Sequence, residues 1–394
     1  MYKVESIELP DLALGKEWAI LELITLGLSS STEQEMFADL INSPNLDLQE
    51  LVAQAKRHKI LTLLAFYCLS EKFVKIIPQN ILSQVEFSKI LFINRHKISL
   101  YRKEAVRLIT AFKQKNIRFV GTKGIALEST VYPSQGIRTM GDMDFMILPS
   151  DREIVSKTLS DLGYSMGTFN HKTGKIKPHS RELMIKYRLS PDHLPSHVLL
   201  TDSIIVPFIE VDVANSLTWT SCPFQIPVEV ALENIIYQSF LGSNNVQLPI
   251  FSPQFQFIFT ILHLFKEAWI EITLDMHGKD VSLSKFSDVV RIWKTYKNQL
   301  NNQEFVSILE QYSIIQPVLW VLEHLDRTLK TNIVSELGLE GRVTEEWLSS
   351  ASASNRISRH WQGTMRERLF SRDRRQLFKP PTNFLNRVIK LWNH

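Results

Sequence analysis

Two short runs of β-branched and aromatic residues interrupt a chain whose apolar residues otherwise recur with helical spacing. The runs are IRFV at 117–120 and DFMIL at 144–148, each ended by a glycine or a proline. A segment with helical character follows each run, so the order is strand, helix, strand, helix. Extended runs continue to residue 215, and helical periodicity returns near Val228. We therefore predict an α+β fold in which a small mixed β-sheet is flanked by N- and C-terminal helical bundles.

The same pattern divides the chain into four regions. We expect an N-terminal helical region at 1–116, a core with the mixed sheet at 117–227, a C-terminal helical region at 228–355 and a basic, aromatic-containing tail at 356–394. The tail has ten arginines and lysines against two acidic residues, a net charge of +8 within a chain of +4. This composition is compatible with docking on the acidic remainder of the protein or on a partner, with RNA binding, or with binding to a membrane surface. No RNA-recognition motif accompanies it, so docking is preferred and nucleic acid is not favoured.

The composition excludes several classes of protein. Of 394 residues, 44% are hydrophobic and 22% charged, with 14 glycines and 16 prolines, which excludes general disorder, collagen-like repeats and low-complexity chains. The sequence has no apolar run of about 18 residues and no N-terminal secretory pattern, so we expect no transmembrane segment and a cytoplasmic location. Cys68 and Cys222 lie among apolar or aromatic neighbours and outside any metal-binding spacing, which predicts two buried thiols.

The segment GIRTMGDMDFMIL at 136–148 carries the strongest functional signal. Asp142 and Asp144 are separated by one residue at the start of an apolar strand, so both carboxylates lie on one strand face and Met143 lies on the other. Carboxylates this close repel each other unless a cation or basic group compensates them, and Mg²⁺ favours oxygen ligands combined with substrate phosphates. We therefore predict a divalent-metal site. The structural alternative is an aspartate-rich turn that caps the strand.

A second run with alternating carboxylates, FIEVDVAN at 208–215, provides candidates for a third metal ligand. Its apolar residues share one face, while Glu210 and Asp212 share the other. If this strand lies beside the strand of Asp144, one of the two completes a site for two-metal phosphoryl or nucleotidyl transfer. The alternative is a half-exposed strand with a solvated face. We prefer Asp212, because Glu210 lies closer to Pro207, where the strand is expected to start or bulge.

The segment FVGTKGIALEST at 119–130 predicts a phosphate-binding turn between a strand and a helix. Glycines such as Gly124 allow phosphate oxygens to approach backbone N–H groups at a helix start, and Lys123 adds a positive charge. The Walker A pattern is absent, and a tight strand-to-helix turn is the structural alternative. Arg138, four residues before Asp142, can bind a triphosphate bidentately or pair with an aspartate of the empty site.

Four histidines fall in a polar, proline-containing stretch between the two acidic segments. Their spacings match no common zinc pattern. We therefore expect a surface loop, and not a metal site, at His171, His179, His193 and His197.

The order of these motifs resembles an uncharacterised nucleotidyltransferase family of the polymerase-β-like nucleotidyltransferase superfamily. The family pattern runs approximately as LKG, AL, YP and GxRxxxDxDxLV. The resemblance is strongest over residues 117–150 and extends more loosely over 50–295, where the family has a histidine-containing helix followed by a helix with an aspartate. The matching positions are Lys123-Gly124, Ala126-Leu127, Tyr132-Pro133, Gly136, Arg138, Gly141-Asp142, Asp144, His263 and Asp288.

This resemblance implies a polymerase-β-like fold with Asp142, Asp144 and Asp212 as metal ligands. It also implies Mg²⁺ or Mn²⁺ as cofactor, an NTP, with ATP preferred, as donor, and Lys123, Gly124 and Arg138 around the triphosphate. The family usually places a histidine two residues after the third aspartate, whereas this chain has Ala214 there. The superfamily's usual GS start is replaced here by Lys123-Gly124, in agreement with this particular family.

The function expected from the sequence is Mg²⁺-dependent transfer of an NMP group from an NTP to a small-molecule, peptide or protein acceptor, with release of pyrophosphate. Two alternatives stay open at this point. One is a catalytically inactive nucleotide-binding or protein-interaction module with the same fold, which the missing histidine at position 214 motivates. The other is an RNA-binding protein that uses the basic tail.

Overall fold

A computed structural model shows a mixed β-sheet with helices before and after it in sequence, which confirms the predicted α+β class. Pro133 of the Tyr132-Pro133 motif and residues 378–394 of the tail lie outside the described residues. The structure describes residues 15–70, 81–132, 136–189, 192–219, 222–239, 246–270, 278–352 and 357–377.

The N-terminal part of the chain is helical, as its periodicity predicts. Helix α1 is mostly apolar, and all of its residues from Trp18 to Leu26, Glu22 included, are buried because it packs against α2, α3, α4 and a later helix. Ser30 forms a capping box with Glu33 at the start of α2, and Asp47 caps α3. The helices are α1 (Lys16–Leu26), α2 (Ser31–Ile41), α3 (Leu48–Arg57), α4 (Leu61–Leu69) and the long α5 (Ile81–Gln114).

The sheet has eight strands in the order β4-β3-β5-β6-β2-β1-β8-β7. At its centre β2 runs parallel to β6 and antiparallel to β1, while β1 runs parallel to β8. The strands are β1 (Phe119–Thr122), β2 (Met143–Ile147), β3 (Ser165–Asn170), β4 (Lys175–Pro178), β5 (His197–Leu200), β6 (Phe208–Ala214), β7 (Ile235–Ser239) and β8 (Gln247–Phe251). Helices α6 (Lys123–Thr130), α7 (Arg152–Asp161), α8 (Arg181–Leu189) and α9 (Val228–Glu233) connect them.

Strand β6 shows the alternation that its sequence predicts. Ile209, Val211 and Val213 are buried in one hydrophobic cluster with the long helix α5, whereas the acidic side chains of the strand are only partly buried. The sheet therefore has an apolar face against α5 and a polar face at the centre of β6.

Helices return after the sheet, but the prediction of a purely helical region from Val228 was wrong for two segments. Residues 235–239 and 247–251 form β7 and β8, which pair with each other and extend the central sheet. Runs of five residues are too short for periodicity to separate a strand from a helix, and the residues around these two runs have helical periodicity. The four-region division of the chain stays a prediction.

The C-terminal part consists of helices around a small two-stranded sheet. Helix α10, which follows β8 directly, is buried along most of its length and packs against α11 and α13. The elements are α10 (Pro253–Trp269), α11 (Leu283–Leu300), α12 (Gln303–Gln311), α13 (Ile315–Leu329), α14 (Ile333–Glu336), α15 (Glu345–Leu348), β9 (Ser350–Ser352), β10 (Ile357–His360) and α16 (Met365–Phe370).

The described part of the basic tail docks on the rest of the chain through its arginines. Arg368 Nη2 lies 2.6 Å from Asp280 Oδ1, and both side chains are only 1% exposed. Arg374 Nη1 lies 3.1 Å from the other oxygen of Asp280. Arg366 donates to both oxygens of Glu22 in α1, at 2.8 Å each. Residues 357–377 thus connect the N-terminal bundle to the segment before α11.

Two further expectations concern the cysteines and membrane-spanning helices. Cys68 and Cys222 are free, buried thiols, as predicted. Among the described helices, none combines the length and the apolar character that crossing a lipid bilayer requires.

The first prediction concerns the buried carboxylate that holds two tail arginines. Asp280→Ala leaves both guanidinium groups without this partner in a buried site, which costs about 3–5 kcal/mol in the free energy of unfolding. Arg372→Ala is the control, because Arg372 is 82% exposed in its ion pair with Glu50 and such pairs contribute about 1 kcal/mol or less. Chemical denaturation measures both variants. Equal effects would contradict a buried, energetically important Asp280.

A second prediction concerns pH and rests on His324 in α13. The Nε2 of His324 donates to the carbonyl of Leu348 at 2.9 Å, and the ring packs against Trp320 and Trp361. Burial lowers the pKa of His324 from 6.5 to about 3, because a second proton would place a charge in this apolar site. The ring is therefore neutral in the folded protein at neutral pH.

Between pH 6.5 and about 3, the unfolded chain binds a proton at His324 that the folded chain does not, so stability falls as the pH falls through this window. In His324→Gln the amide can still donate to Leu348. In this variant we expect the free energy of unfolding to fall less steeply as the pH falls, by up to about 1.4 kcal/mol per pH unit. Denaturation at pH 7, 6 and 5 measures the slope, and the exposed His171→Gln is the control. An unchanged slope in His324→Gln would show that this histidine is not buried as a neutral ring.

Candidate functional site

The three aspartates selected from the sequence meet at the centre of the sheet. Because β2 and β6 are parallel and in register, Asp144 lies directly opposite Asp212 on the neighbouring strand. Asp142 precedes β2 by one residue. Carboxylate oxygens of the three residues lie within 4.8 Å of one another, and among the described residues this is the group of acidic, histidine or cysteine side chains suited to hold a metal ion.

Glu210, the alternative third carboxylate, lies on the same side of β6 but outside this group of oxygens. Burial raises the pKa of Glu210, and the nearby charges of Asp142 and Asp212 raise it further. The geometry therefore supports Asp212 over Glu210 as the partner of the DxD pair.

Lys123 is the direct counter-charge of the triad. Its Nζ donates to Asp144 Oδ1 at 2.5 Å and lies 3.9 Å from Asp212 Oδ2. Burial opposes the charge, but Asp144 and Asp212 outweigh it and raise the pKa of the ammonium group. Lys123 also has a φ of 44°, a left-handed conformation that is unfavourable for a residue with a Cβ and that directs the chain from β1 into α6.

Lys123 does not fully compensate the charge of the triad. Burial raises the pKa of Asp144 to about 7, and the charge of Asp142 adds to the shift although Lys123 opposes it. The pKa of Asp212 is lowered despite burial, because His193 and Lys123 stabilise its ionised form. A raised pKa on a buried carboxylate means that its ionised form lacks sufficient counter-charge. A cation bound here would supply that charge. The all-oxygen donor set fits Mg²⁺ or Mn²⁺.

Gly124 and the start of α6 form the turn that the sequence indicated. A Cβ at Gly124 would lie 2.7 Å from the Met140 side chain and 3.0 Å from Arg138 Nη1, so any other residue would displace Met140 from its buried position. Among the residues that the structure describes, no side chain caps the N-terminus of α6, so its first backbone N–H groups have no side-chain acceptor there. These groups suit a phosphate oxygen.

Arg138 is held by Asp288 of α11 and not by the triad. Its Nη2 and Nε lie 2.7 and 2.9 Å from the two oxygens of Asp288, and the hydroxyl of Tyr132 donates to the same carboxylate at 2.7 Å. Arg138 thus links the loop before β2 to α11. A contact of Arg138 with a triphosphate stays a prediction.

Sequence reasoning singled out His263 but missed the lysines near it, which come from α10, the start of α11 and the segment between them. Lys285 and Lys279 are both counter-charges of Glu267, and His263 Nε2 lies 3.8 Å from Glu267 Oε1. Burial lowers the pKa of Lys266, whose surroundings include Asp192, Lys123 and Asp212. The i, i+3, i+4 spacing of His263, Lys266 and Glu267 places them on one helix face, and this spacing is the signal that could have identified Lys266.

The histidine stretch also differs from its prediction. The surface-loop expectation was wrong for His197, which is fully buried in β5 with its Nδ1 2.7 Å from the carbonyl of Pro195. It also missed His193, whose Nδ1 lies 3.2 Å from Asp212 Oδ1. His171 is exposed and contacts Phe169 and Phe208 edge to face.

Comparison with known proteins agrees with this geometry. A search of curated proteins finds no match. A family profile described as an uncharacterised nucleotidyltransferase matches residues 44–330, well over half of the chain, and includes the triad, the Lys123-Gly124 turn, α10 and α11. The match confirms the resemblance drawn from the motifs between Lys123 and Asp144. The chain therefore belongs to this uncharacterised nucleotidyltransferase family.

Proposed function

We propose that the protein is a divalent-metal-dependent nucleotidyltransferase. In the proposed reaction an acceptor oxygen attacks the α-phosphorus of an NTP, with ATP the preferred donor. The new oxygen–phosphorus bond forms as the bond to the β-phosphate oxygen breaks, and pyrophosphate leaves. The observation that carries this proposal is the in-register placement of Asp144 and Asp212 on parallel strands, with Asp142 beside them.

Asp142, Asp144 and Asp212 would hold Mg²⁺ or Mn²⁺, since their oxygens converge and lack sufficient positive charge. When bound, the ions would neutralise the triphosphate and lower the pKa of the acceptor hydroxyl. Asp212 would hold the ion next to the acceptor and help to activate the acceptor hydroxyl. Lys123, the start of α6 at Gly124, and Lys266 would face the triphosphate.

The acceptor would bind beside Asp142 and Glu210. Lys97 of α5, which is partly buried, lies near both carboxylates. Tyr101 of the same helix is fully buried and supports the loop before β2, because its hydroxyl donates to the carbonyl of Gly141 at 2.8 Å. The charge of Lys97 suits a small-molecule, peptide or protein acceptor that offers a hydroxyl or phosphate.

The structure does not favour the two other functions considered from the sequence. An inactive module has no need for three converging carboxylates, and the chain retains all three. RNA binding by the tail is less favoured because Arg366, Arg368 and Arg374 already pair with carboxylates of the same chain.

The direct test incubates the full chain with each NTP and Mg²⁺ and measures pyrophosphate release. Candidate acceptors are then screened by mass spectrometry for the addition of one nucleoside monophosphate. Metal-dependent pyrophosphate release with a modified acceptor supports the proposal. NTP binding without turnover across the acceptor panel would favour the inactive-module alternative.

A third prediction concerns the acidic pair. Asp142→Asn combined with Asp144→Asn should abolish Mg²⁺-dependent NTP binding or turnover and leave the fold intact. The fold survives because burial and like charge already disfavour an ionised Asp144, an amide relieves the repulsion between the carboxylates, and Lys123 keeps Asp212 as its counter-charge. Titration with a non-hydrolysable NTP, pyrophosphate release and thermal melting measure these effects. The exposed Asp161→Asn is the control, and undiminished turnover in the double variant would exclude these residues as metal ligands.

A fourth prediction separates the two carboxylates of β6. Asp212→Asn should lower turnover by about two to four orders of magnitude, the scale of metal and general-base contributions, while the DxD pair retains NTP binding. Glu210→Gln is the matched control on the same strand face and should have a milder effect. Steady-state kinetics and nucleotide titration measure both. An inactive Glu210→Gln together with an active Asp212→Asn would reverse the assignment.

A further inference from the structure

A short segment before β5 pairs with the end of the strand that carries Asp212. The backbone N–H of Leu194 donates to the carbonyl of Val213 at 2.8 Å, and the N–H of Asn215 donates to the carbonyl of Asp192 at 2.8 Å. Between these bonds, His193 forms an antiparallel bridge with Ala214. The backbone of His193 is therefore fixed against β6 by two hydrogen bonds.

This bridge determines where the imidazole lies. Asp212 and Ala214 are two residues apart on β6, so their side chains share one strand face. Directly bridged residues on neighbouring strands place their side chains on the same face, so the imidazole of His193 lies on the Asp212 side. Ala214 has only a methyl group and leaves room for the ring. As a result, His193 Nδ1 comes within 3.2 Å of Asp212 Oδ1.

The two oxygens of Asp212 consequently have different surroundings. Oδ1 contacts His193, whereas Oδ2 lies 3.9 Å from Lys123 Nζ, on the side of Asp144. An ionised carboxylate only accepts hydrogen bonds, so the ring must carry its proton on Nδ1 to bind it. This bond fixes the rotation of the carboxylate and leaves Oδ2 directed towards the triad.

We propose that His193 is a positioning residue that orients Asp212 for metal binding. Its imidazole comes from the segment before β5 and lies over the small side chain of Ala214. This inference rests on the proposed function, because it assumes that the triad binds a divalent ion. Hydrogen-bond partners of metal ligands typically change metal affinity or activity by about 10–100-fold when they are removed.

The experiment measures Mn²⁺ binding to the full chain, without nucleotide, by the loss of the free-ion electron paramagnetic resonance signal. His193→Ala and His193→Phe both remove the donor, and the phenylalanine retains the ring volume. We expect both to weaken Mn²⁺ binding by about 10–100-fold. His193→Asn should restore most of the affinity, because its amide nitrogen occupies nearly the place of Nδ1. His171→Ala, an exposed histidine away from Asp212, should bind as the wild type does.

The outcomes separate this inference from the proposed function. If wild-type Mn²⁺ binding disappears in the Asp142→Asn and Asp144→Asn double variant but is unchanged in His193→Ala and His193→Phe, the positioning role is overturned and the metal site stands. If His193→Asn binds as weakly as His193→Phe, the hydrogen bond is not the cause and the inference is also overturned. A wild type that binds no Mn²⁺ would overturn the metal site itself, together with this inference. Pyrophosphate release by the wild type tests the enzymatic function separately.

Discussion

The parallel pairing of β2 with β6 in one register is the constraint on which the site depends. A shift of one residue in this pairing would turn Asp212 to the apolar face packed against α5 and bring Val211 or Val213 opposite Asp144. The register is fixed because Ile209, Val211 and Val213 must be buried on the other face. The hydrophobic core of the sheet thus places two carboxylates side by side, an arrangement that is unfavourable by itself and that Lys123 partly compensates.

Much of this arrangement could be predicted from the sequence because the signals are local. The alternation in FIEVDVAN fixes which side chains share a face, and the DxD spacing does the same for Asp142 and Asp144. The pairing of these two strands could only be assumed, because register depends on contacts between segments about 70 residues apart. For the same reason the partner of Arg138, which is Asp288 on a distant helix, could not be chosen from local spacing.

The sequence was least informative where a contact depends on backbone position alone. His193 reaches Asp212 because of two backbone hydrogen bonds to β6, and backbone bonds leave no residue-type pattern. Strands β7 and β8 were missed because they are short and adjacent to strong helical periodicity. Lys266 belongs to a helix whose sequence indicates burial, so its approach to the triad depends on how α10 packs.

The docking of residues 357–377 has a consequence for how the chain folds during synthesis. Arg366 and Glu22 are 344 positions apart, and Arg368 pairs with Asp280 across 88 positions. Contacts of such sequence separation carry a high loop-closure entropy and form late. Until the ribosome has passed Arg374, the buried carboxylate of Asp280 lacks both of its arginines, and the nascent chain exposes the surfaces that this segment covers. We therefore expect α1 and the segment near residue 370 to reach their final packing together, late in folding.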